Sequence, residues 1–506
     1  EVKANGVAYF SAAGNYGNKS YQGNFIEGIT PTGISGFAHN FAGSGGNDIY
    51  QSVSLAEGNY TVVLQWDDGS GSDNTSTDLD IYLTSNNGNT LFGFNRDNTG
   101  GQAIEVLPFT VAAGGAQTNI MIVKASGGTN VYLKYVVFRG DLTFNEFISG
   151  GSTLVGQSNA EGAIAVGAVL YSNTPELGVN PPTVASFSSV GGTPVNGIIR
   201  NKPEITAPNG VNTTVDLGGV NIDGDPFPNF FGTSAAAPHA AGVAALIVEA
   251  RSKFYDSGIL PDDMKNLLQS TAIDMNTPGF DLSTGYGLIQ ADAALQTLAN
   301  PSPQVSGLSY DTTLTPGLVP VEVTVSGSYL TPSTEIYFNG APLTTTTQLV
   351  GDSLLIATIP EFDELFPVIQ AYNPPLPQTN GTDGGLSDPL YFSTKEKILI
   401  QIDNKFKKYG EVLPDFSAGY ALVSIDESIS LDSAGLSETE LARIKSISFE
   451  TVANGLSNVG YWEIVPSAVD PLNPLSGIPP TDSLDISLLN RFDFIFTNGL
   501  LTIEKM

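Results

Sequence analysis

The sequence predicts a multidomain, β-rich protein: an α/β domain with a parallel sheet, interrupted by a β-sandwich and followed by two further β-rich modules. Three observations carry this. The 506 residues amount to three or four units at roughly 150 residues each. The 56 Gly and 31 Pro punctuate runs of Thr, Val, Tyr and Phe, the make-up of surface-rich β domains. Buried-type apolar strands and Ala-rich helices occur only near the start and between 150 and 300.

The elements follow in order. Gly6-Val-Ala-Tyr-Phe-Ser-Ala-Ala-Gly-Asn15 reads as a buried strand and a Gly-rich turn. From 25 to 149 the pattern alternates, as in Tyr60-Thr-Val-Val-Leu-Gln-Trp66, Asp78-Leu-Asp-Ile-Tyr-Leu83 and Val131-Tyr-Leu-Lys-Tyr-Val-Val-Phe138, with Gly/Asn/Asp turns between. That is a sandwich pattern. Gly162-Ala-Ile-Ala-Val-Gly167 returns to the continuous apolar type of a parallel sheet. Ala235–Ala250 predicts a helix buried on most faces. Pro261–Ala272 predicts a second helix, whose Pro and acidic first turn suit the positive end of its dipole. The α/β domain thus takes 1–24 and 150–300. Pro301-Ser-Pro303 marks a linker, and 303–394 and 395–506 are β-rich segments. Within the first of these, Asn339-Gly340 predicts a tight hairpin, and Pro374–Gly385 a loop.

With 20 Lys+Arg against 51 Asp+Glu, the formal net charge is −31. Such a surface repels nucleic acid and anionic lipid, so neither is an expected partner. Charged residues are only 14% of the chain, too few for an acidic disordered tail. With no cysteine there is no disulfide, thiolate metal site or Cys nucleophile. No apolar run reaches the roughly 20 residues of a membrane span.

Chemistry concentrates in Gly232-Thr-Ser-Ala-Ala-Ala-Pro-His-Ala-Ala-Gly242. Ser234 sits in a Gly-led turn opening a helix, where free N–H groups face any developing oxyanion. Pro238 is expected near the end of the first turn, where a missing amide costs least. A lone G-T-S would read as a helix cap. The whole string resembles the nucleophile motif of subtilisin-like serine proteases (subtilases, peptidase family S8), G-T-S-x-A-x-P-H-x-A-G. Ala12-Ala-Gly-Asn15, Ala163-Ile-Ala-Val-Gly-Ala168, Phe187-Ser-Ser189, Lys202-Pro-Glu-Ile-Thr-Ala-Pro208 and Gly285-Tyr-Gly-Leu-Ile-Gln-Ala291 resemble further family segments, in the family's order. Glu204 stands where the family has Asp, and Asn209 interrupts its Pro-Gly.

The resemblance implies a three-layer subtilisin-like α/β domain whose N-terminal part is missing. It implies a serine endopeptidase acting on protein or peptide substrates, with no cofactor needed for catalysis. Ser234 would attack the scissile carbonyl; the Asn15 side-chain amide and the Ser234 N–H would hold the oxyanion. Ala12, Ala13 and Gly14 would form part of the substrate wall. The catalytic Asp and His are expected upstream of this chain. Of its two histidines, His239 is expected to pack or hydrogen-bond on its helix, and His39 lies in the insert, not expected to act as a base. Without a base Ser234 is an ordinary alcohol, so the chain alone is expected to be inactive. It reads as a fragment, as one partner of a complementing N-terminal half, or as a scaffold kept for binding.

In the insert, Asp67, Asp68, Asp78 and Asp80 cluster about a Gly/Ser-rich turn, and such carboxylates could chelate Ca²⁺. The Asp78–Leu83 segment resembles the jelly-roll pre-peptidase C-terminal-like domains of secreted proteases. With Val323-Thr-Val-Ser-Gly-Ser-Tyr-Leu330, Ile336-Tyr-Phe-Asn-Gly340 and Gly384-Gly-Leu-Ser-Asp-Pro-Leu-Tyr-Phe392, residues 303–394 resemble an IPT/TIG immunoglobulin-like module. With Lys408-Tyr-Gly-Glu-Val-Leu-Pro-Asp-Phe416, Asn458-Val-Gly-Tyr461 and Asn498-Gly-Leu-Leu-Thr-Ile-Glu-Lys505, residues 395–506 resemble an MBG-type module of bacterial surface proteins, and spacer or adhesive roles are expected. Lys405-Phe-Lys-Lys408 reads as a solvated strand edge. The resemblances together imply a secreted or cell-surface bacterial protein.

Overall fold

The computed structural model describes residues 1–506 except 72, 86–88, 149–150, 216–220, 312–313, 315, 344–347, 352, 393–394, 425–426 and 506. The expected boundaries at 149–150 and 394 therefore fall on residues outside those described. Two compact units form: one holds 1–299 and 377–380, the other 300–376 and 381–506. The division after residue 299 lies beside the Pro301-Ser-Pro303 linker.

The first unit opens with β1 (Tyr9–Ala12). There follow β2 (Ser20–Asn24), β3 (Phe37–Ala38), β4 (Gln51–Leu55), β5 (Gly58–Asp67), β6 (Asp78–Thr84), β7 (Thr90–Phe94), β8 (Ile104–Val111), β9 (Ala116–Ser126), β10 (Tyr132–Arg139) and β11 (Leu142–Phe144). The chain then returns in β12 (Ala163–Leu170) and β13 (Ile205–Asn209). It closes with α1 (Thr233–Tyr255), α2 (Pro261–Ser270) and α3 (Ala291–Gln296).

β1, β12 and β13 form a parallel sheet in that order, with Ser11 opposite Ala165 and Val166 opposite Ile205. β1 is thus an edge strand. Buried Lys202 and Glu204 clamp the sheet: their ion pair spans 2.6 Å, and Glu204 Oε2 accepts the Ala165 N–H at 2.7 Å. Glu204, where the family has Asp, is therefore a structural carboxylate.

Between β1 and β12 stands the sandwich. One sheet runs β2-β10-β5-β8, the other β11-β4-β9-β6-β7 with β3 on β9. Leu79 and Ile81 of one sheet and Val62, Leu64 and Leu133 of the other share its core. Ser20–Asn24, given to the α/β part by a boundary at 24, is a sandwich strand, paired antiparallel with β10. Its alternation is too short for the sequence pattern to assign.

α1 lies on the sheet. Ala236, Ala240, Ala244 and Ile247 recur at helical spacing and pack with Ile164, Val166, Ile205 and Ala207. The expectation of burial on most faces is not met. Ala241, Gly242 and Ala245 are exposed, with Leu246 46% and Val248 47% exposed. Composition makes the helix apolar all round; the sheet covers one face. Pro238 is also further in than expected, the sixth residue of α1. Its missing amide leaves the Ser234 carbonyl without its i+4 donor.

In the second unit, residues 304–391 form a four-stranded and a five-stranded sheet around Val323, Val325, Ile336, Leu355 and Ile369. Asn339 and Gly340, at φ 48° and 80°, make the expected tight turn between Glu335–Phe338 and Ala341–Pro342. The Pro374–Gly385 loop carries one 3₁₀ turn, Pro377–Thr379. Residues 396–504 form two four-stranded sheets; Lys405–Lys408 is an edge strand as expected, but not solvated throughout, since Lys407 is buried and donates to Asn454 O and Gly455 O. Residues 396–504 also carry two helices that the β-rich pattern did not disclose, Glu438–Lys445 and Ser483–Arg491. The first begins on a capping box of Ser437 and Glu440.

Candidate active site

Ser234 is the second residue of α1 and is exposed. The turn before it is fixed by Gly232, whose φ is +108°. A Cβ there would lie 2.9 Å from Asn15 Nδ2, so backbone conformation and space both demand glycine. Gly232 N–H donates to Asn209 Oδ1 at 3.3 Å. Asn209 is fully buried, and its Nδ2 has no hydrogen-bond partner among the described residues. The residue that breaks the family's Pro-Gly thus holds the turn before Ser234.

Asn15 stands opposite. Its side-chain carbonyl accepts the Thr233 N–H at 2.9 Å and the Thr233 hydroxyl at 2.9 Å. The same hydroxyl accepts the Gly14 N–H at 3.1 Å. With its oxygen pinned, the carboxamide presents Nδ2 beside Gly232, free of any partner among the described residues. Of the first amides of α1, those of Thr233, Ala235 and Ala236 are engaged by Asn15 or Gly232; that of Ser234 has no partner among the described residues. Two free donors, one main-chain and one side-chain, thus flank the Ser234 turn at the positive end of a 23-residue helix. Thr233 is the residue that sequence reasoning missed. Its role rests on contacts with residues 218 and 219 positions away.

Ala12, Ala13 and Gly14 run from β1 into this turn. Ala13 is buried, its N–H bonded to Val166 O at 3.0 Å. Gly14 O accepts the Ser189 N–H at 2.9 Å, and Ser189 Oγ accepts the Tyr16 N–H at 3.2 Å. The Phe187-Ser-Ser189 string thus braces the segment from behind.

Among the described residues no hydrogen bond links either histidine to Ser234. His39 is 1% exposed, held by Tyr21 Oη at 2.9 Å and the Ile26 N–H at 3.1 Å inside the sandwich. Burial pushes it down to about 4, so it is neutral at physiological pH. His39 Nδ1 is the acceptor of the Ile26 N–H, which makes the Nε2–H donor tautomer face Tyr21. His239 Nδ1 lies 2.7 Å from Ala235 O, one turn back on α1. Ser234 Oγ has no hydrogen-bond partner among the described residues.

The structure divides the four carboxylates of the insert. Asp68 is filled by its own loop: Oδ1 accepts the Ser70 N–H at 3.0 Å, and Oδ2 the Thr75 hydroxyl at 2.9 Å and the Ser76 N–H at 2.8 Å. Asp67 caps the Gly69 N–H at 2.9 Å. Asp78 and Asp80 lie on β6, where Asp80 is 5% exposed and its Oδ1 has no hydrogen-bond partner among the described residues. Burial, with Asp78 nearby, pushes Asp80 up to about 6. Among the described residues no three acidic or histidine side chains are gathered as a metal-binding group.

The Subtilase family (Peptidase_S8) matches residues 46–287. That range takes in the Ser234 turn and most of the sandwich; the Asn15 segment precedes it. Fervidolysin of Fervidobacterium pennivorans is 43% identical over 74 residues, 15% of this chain and 10% of that protein. Alkaline elastase YaB of a Bacillus strain is 31% identical over 154 residues, 29% of this chain and 37% of that one. Among solved structures, the CspB protease of Clostridium perfringens matches at 18% identity and a TM-score of 0.38, over 59% of this chain and 61% of that one. The chain spans 10%, 15% and 17% of the length of the first three curated relatives it matches. No helix among the described residues is long and apolar enough to cross a membrane.

Proposed function

We propose that this chain is the nucleophile-bearing part of a secreted or cell-surface bacterial serine endopeptidase of the subtilisin type. One observation carries the reading: Ser234 opens a helix between two unpartnered donors, its own N–H and Asn15 Nδ2, the latter oriented by Thr233. A hydroxyl in that position can attack a peptide carbonyl while the developing oxyanion meets donors already in place. The Ser234 proton then needs a base. Neither histidine of the chain is placed to take it, so the His and Asp of the triad are supplied by a separate segment, an N-terminal half in cis or in trans.

Two features support a docking place for such a half. β1 presents an unpaired edge of a parallel sheet, a class of sheet that is normally covered on both faces. Beside it, α1 exposes Ala241, Ala245, Leu246 and Val248. A strand added along β1 and an apolar element over α1 would cover both. Calcium at the Asp67–Asp80 turn is a further part of the reading; its support is the unpartnered, buried Asp80 Oδ1. The two C-terminal β-rich modules, IPT/TIG-like and MBG-like, act as spacers or adhesive stalks.

A second reading is a binding or adhesion protein on a retained protease scaffold. The observation favouring it is that Ser234 Oγ meets no base among the described residues. Hydrolysis of casein separates the two. The chain, and its Ser234→Ala variant, are assayed alone and after mixing with a candidate N-terminal half carrying D-[ST]-G and H-G-T segments. Cleavage by the mixture that Ser234→Ala abolishes supports the protease. A stable mixed complex without cleavage supports the binding scaffold.

A further inference from the structure

The sandwich interrupts the α/β domain just after the oxyanion segment: β2 begins at Ser20, five residues beyond Asn15, and the chain returns through Ser152 and Thr153. At this neck lies Lys134, on β10, 8% exposed. Among the described residues no carboxylate pairs with it. Its ammonium donates to Gln22 Oε1 at 3.0 Å on the outgoing strand β2, and to the carbonyl and hydroxyl of Ser152 on the returning segment. Three acceptors answer three protons. Burial pushes the Lys134 ammonium down to about 7, so the charge is held against its solvation preference.

From Ser152 the bonding continues toward the site. Ser152 Oγ lies 2.8 Å from Thr193 Oγ1, which donates to Leu154 O at 2.7 Å. The neighbouring Thr153 hydroxyl donates to Gly17 O and accepts the Val190 N–H at 3.0 Å. The Thr153 N–H returns a bond to Val190 O at 2.8 Å. Ser189, next along, holds Gly14 O and the Tyr16 N–H. Gly17 N–H is tied to Phe187 O at 2.7 Å. Gly14 then meets Thr233, and Thr233 meets Asn15. A second path runs through rings, Tyr16 against Phe138 of β10 with centroids 4.8 Å apart.

We infer that the sandwich is a buttress for the oxyanion segment, and that Lys134 is the positioning residue through which it acts, by stapling the outgoing strand to the returning segment so that Thr153 holds the 14–17 turn against Ser189. The inference rests on the reading of Asn15 as an oxyanion donor for its functional meaning, and on hydrogen bonds alone for its structural content. Lys134 touches neither substrate nor the reacting atoms. Inclusion of the sandwich and the α/β part in one compact unit accords with this.

Amide hydrogen exchange on the full chain tests it without requiring catalysis. The amides of Gly14, Tyr16 and Gly17 are followed in the wild type, Lys134→Met, Thr153→Val and Thr153→Ser. Lys134→Met and Thr153→Val are expected to speed their exchange about tenfold or more, while Thr153→Ser, which keeps the hydroxyl, behaves as wild type. β12 and the buried part of α1 should exchange as before. Unchanged exchange at 14–17 with faster exchange confined to 151–154 would overturn the inference. If Lys134→Met unfolds the domain, the Thr153 pair decides alone. With a complementing half present, fluorophosphonate inactivation should slow in Thr153→Val and recover in Thr153→Ser. Should no variant label at all, the protease reading fails while the exchange result still stands or falls by itself.

Discussion

The hydroxyl of Thr233 and the side-chain carbonyl of Asn15 lie 2.9 Å apart, and the same carbonyl takes the Thr233 N–H at 2.9 Å. One residue therefore sets the orientation of the candidate oxyanion donor from the step before the nucleophile. An Asn whose oxygen is committed twice cannot turn its Nδ2 away without losing both bonds.

Thr233→Val removes the hydroxyl and keeps the shape. The Asn15 carboxamide loses one of its two anchors, and the Gly14 N–H loses its acceptor. In the complemented protein, fluorophosphonate labelling should slow about 10-fold or more, with Thr233→Ser close to wild type. Asn15→Ala, which deletes the donor itself, should cost on the order of 100-fold.

Gly232→Ala forces a side chain into a φ of +108° and to within 2.9 Å of Asn15 Nδ2. Strain of this kind costs about 1–3 kcal/mol. Urea denaturation should show a lower midpoint, and labelling should fall with it because the atom that must move is the proposed oxyanion donor.

His39 sets an acid limit on the sandwich. Its folded pKa is pushed down to about 4 by burial, against an ordinary 6.5. Between those values the unfolded chain binds the extra proton, so stability is lost as pH falls from 6.5 toward 4. The full effect is on the order of 3 kcal/mol. Thermal denaturation between pH 7 and pH 4 should show a shallower decline in His39→Gln than in the wild type, whatever its stability at pH 7.

Glu105 works in the opposite direction. It is fully buried, neither carboxylate oxygen makes a hydrogen bond of good geometry among the described residues, and the Arg96 guanidinium stands 3.9 Å away. Burial pushes it up to about 7, with Arg96 opposing. The folded state holds this proton more tightly than the unfolded chain, so its stabilising contribution is present in acid and is lost as pH rises toward 7. Glu105→Gln should therefore gain stability relative to the wild type between pH 5 and pH 8, read from paired melting curves.

The Gly-led turn and the helix it opens were legible because their geometry is local: Gly232, Ser234 and the small residues after them are adjacent and make an exposed serine on a close-packed helix. The Asn339-Gly340 hairpin was legible for the same reason. Thr233 and Lys134 were not, since each acts on residues that only the fold brings near, Asn15 in one case and Ser152 in the other. Asp68 shows the same limit from the other side: its oxygens accept from Ser70, Thr75 and Ser76 of its own loop, contacts that its spacing in the sequence does not disclose. The exposed face of α1 was hidden by its composition, because an Ala-rich helix gives no sign of which side a neighbour will cover. The helices Glu438–Lys445 and Ser483–Arg491 are short, and the surrounding strand pattern masked them.

The most direct test of the central claim is the site and condition of fluorophosphonate adduct formation, mapped by mass spectrometry of the labelled chain. The account predicts an adduct on Ser234, formed only after a half carrying the catalytic Asp and His is added, and slowed by Thr233→Val. An adduct formed at full rate on the chain alone, or on a serine other than Ser234 in the complemented protein, would contradict it.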